Sequence, residues 1–230
     1  MEVIRTGFIE AFRLLISFNS DLVTILLMTL RVTGTAALIA MVIGLPIGTL
    51  VGLTEFLGRK LFVVFTNTGM ALPPVVVGLF VFLFLARSGP FGRFELIYTP
   101  TAMIIAEVII ATPMVIGVTL AAVQSLDSRL KDQIVALGAN RLQLFFKIVR
   151  EARLGLLAAV AAGFGAIISE VGAVMMVGGN IKGATRVLTT AIVMETRIGH
   201  TSMAIALSII LLALAFTINW FITFIQQRQA

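Results

Sequence analysis

The sequence predicts an all-α membrane protein with five transmembrane helices. Three observations carry that prediction. Apolar residues make up 59% of the 230 positions and charged ones 12%, against about 25% charged in a typical soluble domain. A globular chain of that balance would lack the polar side chains to cover its surface, and the mean hydropathy of +1.10 agrees. Five long stretches are almost free of charge, and the one sizeable polar segment, 125–153, carries a helical period of apolar residues. We read residues 1–230 as a single transmembrane domain.

Residues 1–21 mix Arg5, Arg13, Glu2, Glu10 and Asp21 with Val3, Ile4, Phe8, Ile9, Phe12, Leu14, Leu15 and Ile16. They read either as a short amphipathic helix lying in the membrane interface or as a partly ordered tail. A crossing needs roughly 20 apolar residues. Val32 to Thr54 supplies the first, with no charge. It is too long for the apolar region of a signal peptide, and no A-x-A pattern follows it. Gly44, Gly48 and Gly52, spaced by four, fall on one helix face where another backbone could approach closely.

Leu61 to Ala86 is the second crossing, interrupted by Leu72-Pro73-Pro74. Two consecutive prolines delete two backbone donors and clash with the preceding turn. The interruption reads either as a simple kink or as backbone lining a translocation pathway, the setting where lipid-depth breaks are tolerated. Leu96 to Leu126 is the third, with Glu107 its one charge and Thr112-Pro113 repeating the proline device. Leu154 to Ile181 is the fourth, with Glu170 its one charge, and Thr201 to Gln227 is the fifth.

Five crossings put the two termini on opposite sides. Arg59, Lys60, Arg129, Lys131, Arg141, Lys147, Arg150, Arg153 and Arg228 then share one side, against Arg5, Arg13, Arg87, Arg93, Lys182, Arg186 and Arg197. The positive-inside rule favours the N-terminus outside and the C-terminus in the cytoplasm. Half of the net charge of +6 sits on the 127–153 segment, so the basic excess is loop charge and not a nucleic-acid footprint.

The side-chain inventory excludes much chemistry. There is no cysteine and one histidine, His200, which rules out disulfides, thiol chemistry and a His-rich metal centre. No metal site, no cofactor on this chain and no catalytic residues are expected. No G-x-x-x-x-G-K-[ST] is present; Gly52 to Gly58-Arg59-Lys60 has the wrong spacing. Energy must come from another subunit or from an ion gradient. Within the crossings, Arg31, Glu107 and Glu170 are costly and therefore candidates for function. Arg31 either forms a buried ion pair with Glu170 or snorkels to the headgroups.

The segment SLDSRLKDQIVALGANRLQLFFKIVREAR, 125–153, places Leu130, Ile134 and Leu137, then Leu142, Phe145, Phe146 and Val149, at helical spacing. Gly138 between the two sets permits a tight helix–helix turn. Gly138, nine residues, then Ile148 resembles the EAA motif of permease subunits of bacterial ABC importers. Of that motif's E-A-A, the acid survives as Asp132 and the alanines are replaced by Gln133 and Ile134; its Leu-Pro is replaced by Arg150-Glu151.

A second resemblance is more specific. Ser169-Glu170-Val171-Gly172-Ala173 with Gly179-Asn180 is similar to the E-x-G-A…G-N segment of oxyanion permeases. The run 169–196, the run Ala71 to Gly78 and REARLGLLAAV from Arg150 look most like tungstate permeases. The resemblance covers about residue 30 to the C-terminus. It implies the ABC type I importer permease fold with a cytoplasmic coupling helix, in a bacterial or archaeal cytoplasmic membrane. It also implies a homodimer with two ATP-binding subunits and an extracytoplasmic oxyanion-binding protein.

On that resemblance, Asp132, Gly138, Ala139, Asn140 and Arg141 are the ATPase-coupling residues. Pro73, Pro74, Glu107, Glu170, Gly172, Gly179 and Asn180 line the pathway or its gate. The expected function is import of an oxyanion, tungstate first, with molybdate, sulfate or another ABC substrate as alternatives. A proton-coupled secondary transporter using Glu107 and Glu170 is a remoter alternative; such folds usually show an internal repeat, and none is evident between the halves. A small membrane enzyme is disfavoured because the chain has no convergent carboxylate pair on a cytoplasmic face.

Overall fold

The computed structural model describes residues 2–17 and 20–229. The side chains of Glu2, Val3, Ile4, Leu14 and Leu15, part of the amphipathic pattern read from the sequence, lie outside those described. The described chain is helical from end to end, in the order α1 Glu2–Ile16, α2 Ser20–Leu53, α3 Arg59–Ala71, α4 Pro74–Leu85, α5 Pro100–Gln124, α6 Ser128–Ala136, α7 Arg141–Glu151, α8 Arg153–Ile168, α9 Gly172–Gly178, α10 Leu188–Arg197 and α11 Thr201–Gln229. A single 3-10 turn spans Gly92–Phe94.

Three helices are long and apolar enough to cross a membrane alone: α2, α5 and α11. Two bent pairs, α3 with α4 and α7 with α8, bring the number of crossings to as many as five. The expected all-α membrane fold is therefore the one found. Its helix boundaries agree with the sequence reading in the second apolar run and differ from it in two places, each for a local reason.

The second apolar run breaks where the prolines predict. Leu72 and Pro73 are both extended, at φ −60 ψ 126 and φ −60 ψ 124, and Pro74 opens α4 at its first position. A residue before proline is pushed out of the helical region, and two such residues in succession end one helix and start another.

Thr112-Pro113 does not repeat that device. Proline 113 lies inside an uninterrupted α5. The Thr112 hydroxyl donates to the Val108 carbonyl at 2.6 Å, and Gly69 opposite leaves room for the pyrrolidine ring, since a Cβ there would stand 2.9 Å from Pro113 Cβ and Cγ. A single proline with a neighbour that small is absorbed.

The fourth apolar run, expected as one crossing, is not one helix. It stops at Ile168 and restarts at Gly172, so Glu170 sits at a break rather than on a helix face. The physical reason is its own side chain, which accepts from the Ala173 N–H at 2.9 Å and so caps the start of α9.

The chain divides into two compact units. One comprises residues 1–36, 73–107 and 167–220; the other 37–72, 108–166 and 221–230. The first has a core in which Ala11 of α1 and Leu22 of α2 pack with Leu188, Ala191, Ala206, Leu207 and Ile210. Helix α1 enters it by its small side. Gly7 lies against Ile205 and Ala11 is buried, while Phe8, Ile9, Phe12 and Ile16 remain exposed. The helical alternative for the N-terminal segment is therefore the one formed.

In the second unit the expected glycine face of α2 is in use. A Cβ on Gly44, Gly48 or Gly52 would stand 2.7 Å from Val115, Ile116 or Val123 of α5. Only hydrogen at those positions lets α2 and α5 approach so closely. A smaller core, Val123, Ile148, Ala152 and Leu156, seats the polar hairpin against the ends of α2 and α5.

Candidate functional site

The polar segment folds as the helical hairpin its periodicity predicts. Asp127 caps α6 by accepting from the Arg129 N–H at 2.9 Å. The turn contains Gly138 at φ 82, a left-handed conformation that side chains resist. Asn140 then caps α7 with a reciprocal box: its Oδ1 accepts from Gln143 N–H, and Gln143 Oε1 accepts from Asn140 N–H, both at 2.9 Å. Asn140-x-x-Gln143 is a legible start signal in the sequence, one that attention to the glycine turn passed over.

This hairpin buries one side and leaves the other bare. Ile148 is buried, and Leu130 and Ile134 pack against the same core. Leu137 is 88% exposed, with Leu142 and Phe146 above 60%, so its tip has apolar surface that this chain does not cover. A groove of about 760 Å³ runs along it, bounded by Gly138, Ala139, Leu142 and Arg150. Asp132, Gly138, Asn140 and Arg141 are exposed and Ala139 half-buried. The five residues therefore belong to one hairpin, and two of them, Gly138 and Ala139, line the groove.

The other predicted residues cluster in the first unit, around α4 and α9. These two short helices touch backbone to backbone. A Cβ on Gly78 would stand 2.6 Å from Ala173 Cα, and one on Gly172 would stand 2.6 Å from Val75 Cγ2. Pro73 and Pro74 set the start of α4, and Glu170 sets the start of α9. The Thr189 hydroxyl donates to the Glu170 carbonyl at 2.9 Å, which fastens the break to the first turn of α10.

Glu107 is 2% exposed. Its Oε1 receives a long hydrogen bond, 3.5 Å, from the Thr33 hydroxyl, and its Oε2 has no hydrogen-bond partner among the described residues. Thr33 is a neighbour of Glu107 that the sequence did not point to. A threonine inside an apolar helix usually bonds its own backbone, so nothing in the sequence singles this one out.

Of the two alternatives for Arg31, the ion pair with Glu170 is not among those formed by the described residues. Among the described residues, ion pairs join Arg59 to Glu55, Lys182 to Asp21 and His200 to Glu195. Arg31 is exposed while Val32 and Thr33 are buried. Two residues advance a helix by about 200°, so Arg31 and Thr33 point to opposite sides of α2. The carboxylate of Glu170 is meanwhile committed to the α9 terminus.

After α9 the chain turns through two left-handed residues, Gly179 at φ 70 and Asn180 at φ 51. The Gly179 position is closed by the Tyr98 ring, 2.7 Å from where a Cβ would lie, and Tyr98 N–H donates to the last-turn carbonyl of Val177 at 2.8 Å. Asn180 accepts from Arg186 Nε at 3.2 Å and donates to the Thr190 carbonyl. The Thr185 hydroxyl donates to Gly178 and accepts from Ile181 N–H. Gly179 and Asn180 therefore build a self-bonded loop, with Arg186 folded into it. Tyr98 was missed, because a left-handed tyrosine leaves no trace in composition or spacing. The described residues hold no cluster of three or more metal-ligating side chains.

Known proteins resemble this chain in sequence and in fold. The chain is 42% identical over 228 residues to the tungstate uptake system permease protein TupB of Peptoclostridium acidaminophilum, covering 99% of this chain and 100% of the relative. It is 45% identical over 203 residues to a probable anion ABC transporter permease protein of Haloferax volcanii, covering 86% and 88%. A chain of the inward-facing MetNI methionine ABC transporter superposes with a TM-score of 0.75 at 22% identity, covering 93% of this chain and 98% of that one. That likeness shows the fold, which is the importer-permease fold the resemblance implied. Residues 44–230 match the family described as the inner membrane component of binding-protein-dependent transport systems, and the chain belongs to that family.

Proposed function

We propose that this chain is the permease subunit of an ATP-driven importer of a tetrahedral oxyanion, tungstate before molybdate or sulfate. The observation that carries the substrate is the 42% identity, over essentially the whole of both chains, to a tungstate uptake permease. A second tungstate uptake permease, from Campylobacter jejuni, is 33% identical over 96% of this chain. Relatives named for sulfate or molybdenum transport stand at 25–28%.

In this reading the subunit works as a homodimer with two ATPase subunits and an extracytoplasmic oxyanion-binding protein. It hydrolyses nothing itself. Its N-terminus lies outside and its C-terminus in the cytoplasm. The hairpin around Gly138, with Asp132, Ala139, Asn140 and Arg141, meets the ATPase. Its uncovered Leu137, Leu142 and Phe146 support that role, because clustered exposed apolar side chains mark a surface that a partner protein or a membrane covers.

Pro73, Pro74, Glu107, Glu170, Gly172, Gly179 and Asn180 form the gate. The Glu170 carboxylate is used at the start of α9 and Glu107 is buried against Thr33, so both acids act on the helices and not on the cargo. Selection among oxyanions rests with the binding protein. Backbone N–H groups and hydroxyls suit the cargo along the path.

The test is reconstitution of the full assembly in proteoliposomes. Vanadate-sensitive ATP hydrolysis should rise when the binding protein is loaded with tungstate. A rise with molybdate or sulfate alone moves the substrate; no rise with any of the three sinks the reading.

A further inference from the structure

The end of α2 is held by two cations from elsewhere in the same unit. A helix leaves its last carbonyls without intrahelical donors and carries partial negative charge there. In α2, which ends at Leu53, the Leu50 carbonyl accepts from the Thr54 N–H and hydroxyl, at 3.0 and 2.6 Å. The Val51 carbonyl accepts from Arg59 Nε at 2.9 Å. The Leu53 carbonyl accepts from Lys131 Nζ, also at 2.9 Å.

Those two cations differ in origin. Arg59 is eight residues from Val51 and opens the next helix. Lys131 is 78 residues from Leu53 and belongs to α6, the first helix of the hairpin. The bond does not stand alone, since Leu53, Leu130 and Ile134 pack against one apolar core with Ile148. Lysine presents three donors on a flexible stem, so it can cap a carbonyl while its neighbours Leu130 and Ile134 face the core.

We infer that Lys131 is a positioning residue that grips the C-terminal turn of α2, so that the hairpin and this long helix move as one body. The inference rests on the proposed role of the hairpin in meeting an ATPase. It adds the route by which a push on the hairpin reaches a membrane helix: through the Lys131–Leu53 bond and the apolar seat beneath it. Removing the ammonium should free the last turn of α2 while leaving the hairpin's exposed tip unchanged. Arginine at 131 should retain the grip, because it keeps both the charge and the donors.

Two measurements test this on the full chain. Hydrogen–deuterium exchange in lipid nanodiscs reads the grip itself: Lys131→Met should speed exchange at the α2 amides 51–54 about five-fold, and Lys131→Arg should not. Unchanged exchange in Lys131→Met overturns the inference. In the reconstituted assembly with tungstate-loaded binding protein, Lys131→Met should lower ions moved per ATP hydrolysed about five-fold. The ATPase should still co-purify stoichiometrically, and Lys131→Arg should restore coupling. Loss of the ATPase from Lys131→Met overturns the inference, because Lys131 would then belong to the docking surface. An unchanged coupling ratio, or equal defects in both variants, overturns it as well. If the parent assembly moves none of the three oxyanions, the proposed function fails, and the exchange measurement alone decides the grip.

Discussion

Gly78 and Ala173 bring α4 and α9 into backbone contact, leaving 2.6 Å between a Cβ on the glycine and the alanine Cα. No rotamer change relieves a clash with backbone. Gly78→Val should therefore spread the two helices and cost about 1–3 kcal/mol, as overpacking does in well-filled cores. Gly34 makes the control, since a Cβ there meets nothing within 4 Å. Gly34→Ala should be neutral or stabilising by up to about 1 kcal/mol, the gain in helix propensity. Thermal melts of both variants in detergent separate the two effects, and transport should be lost only with Gly78→Val.

The hairpin turn gives a second prediction. Gly138 at φ 82 is unhindered by neighbours but left-handed, which costs a side chain roughly 1–2 kcal/mol, and a β-branched one most. Gly138→Val should displace α7 relative to α6 and abolish co-purification of an ATPase subunit. Asn140→Ala removes one half of the capping box and should cost about 1 kcal/mol of helix stability. It should weaken co-purification without abolishing it. Equal retention of the ATPase by both variants and the parent would count against this hairpin as the docking element.

Glu170 separates two readings of a carboxylate in a membrane. Its Oε1 is used by Ala173 N–H and its carbonyl by Thr189, a structural employment that needs an acceptor and not a charge. Glu170→Gln keeps the acceptor and should transport at near parental rates. Glu170→Ala strands a buried N–H, at a cost of about 1–3 kcal/mol, and should lower both the melting temperature and transport. Transport lost equally in both variants would instead assign the charge itself a role.

These contacts show what the sequence exposed and what it concealed. Features encoded by a single residue type were legible: the glycine row of α2, the break at Pro73-Pro74, the helical period of 128–151. Features set by a partner distant in the chain were not. Pro113 carries the same signal as Pro73 but sits in an unbroken helix, because Gly69 faces it. Glu170 reads as a charge on a helix, yet the carboxylate ends that helix and caps the next. Arg31 and Glu170 have opposite charges, but the rotation of α2 leaves Arg31 exposed while Val32 and Thr33 are buried. Spacing along a chain fixes which residues share a face; which face meets which neighbour depends on packing.

The last prediction concerns Glu107, buried at 2% exposure with one oxygen that has no hydrogen-bond partner among the described residues. A buried polar atom without a partner costs free energy, and in glutamine the amide nitrogen would inherit that unpartnered position. Glu107→Gln preserves an acceptor for the Thr33 hydroxyl at the same position and removes the ionisable proton. If Glu107 is an architectural acid beside the α9 break, ATP-dependent oxyanion uptake by Glu107→Gln should stay within about two-fold of the parent, a change of about 0.4 kcal/mol. Its melting temperature should stay close to that of the parent. Proton-coupled transport makes the opposite demand, since a glutamine cannot carry a proton across. Uptake driven by ATP in the absence of a pH gradient, surviving in Glu107→Gln, would therefore exclude the secondary-transporter mechanism. Uptake lost in the variant together with an unchanged melt would place Glu107 among the residues that move with the cargo.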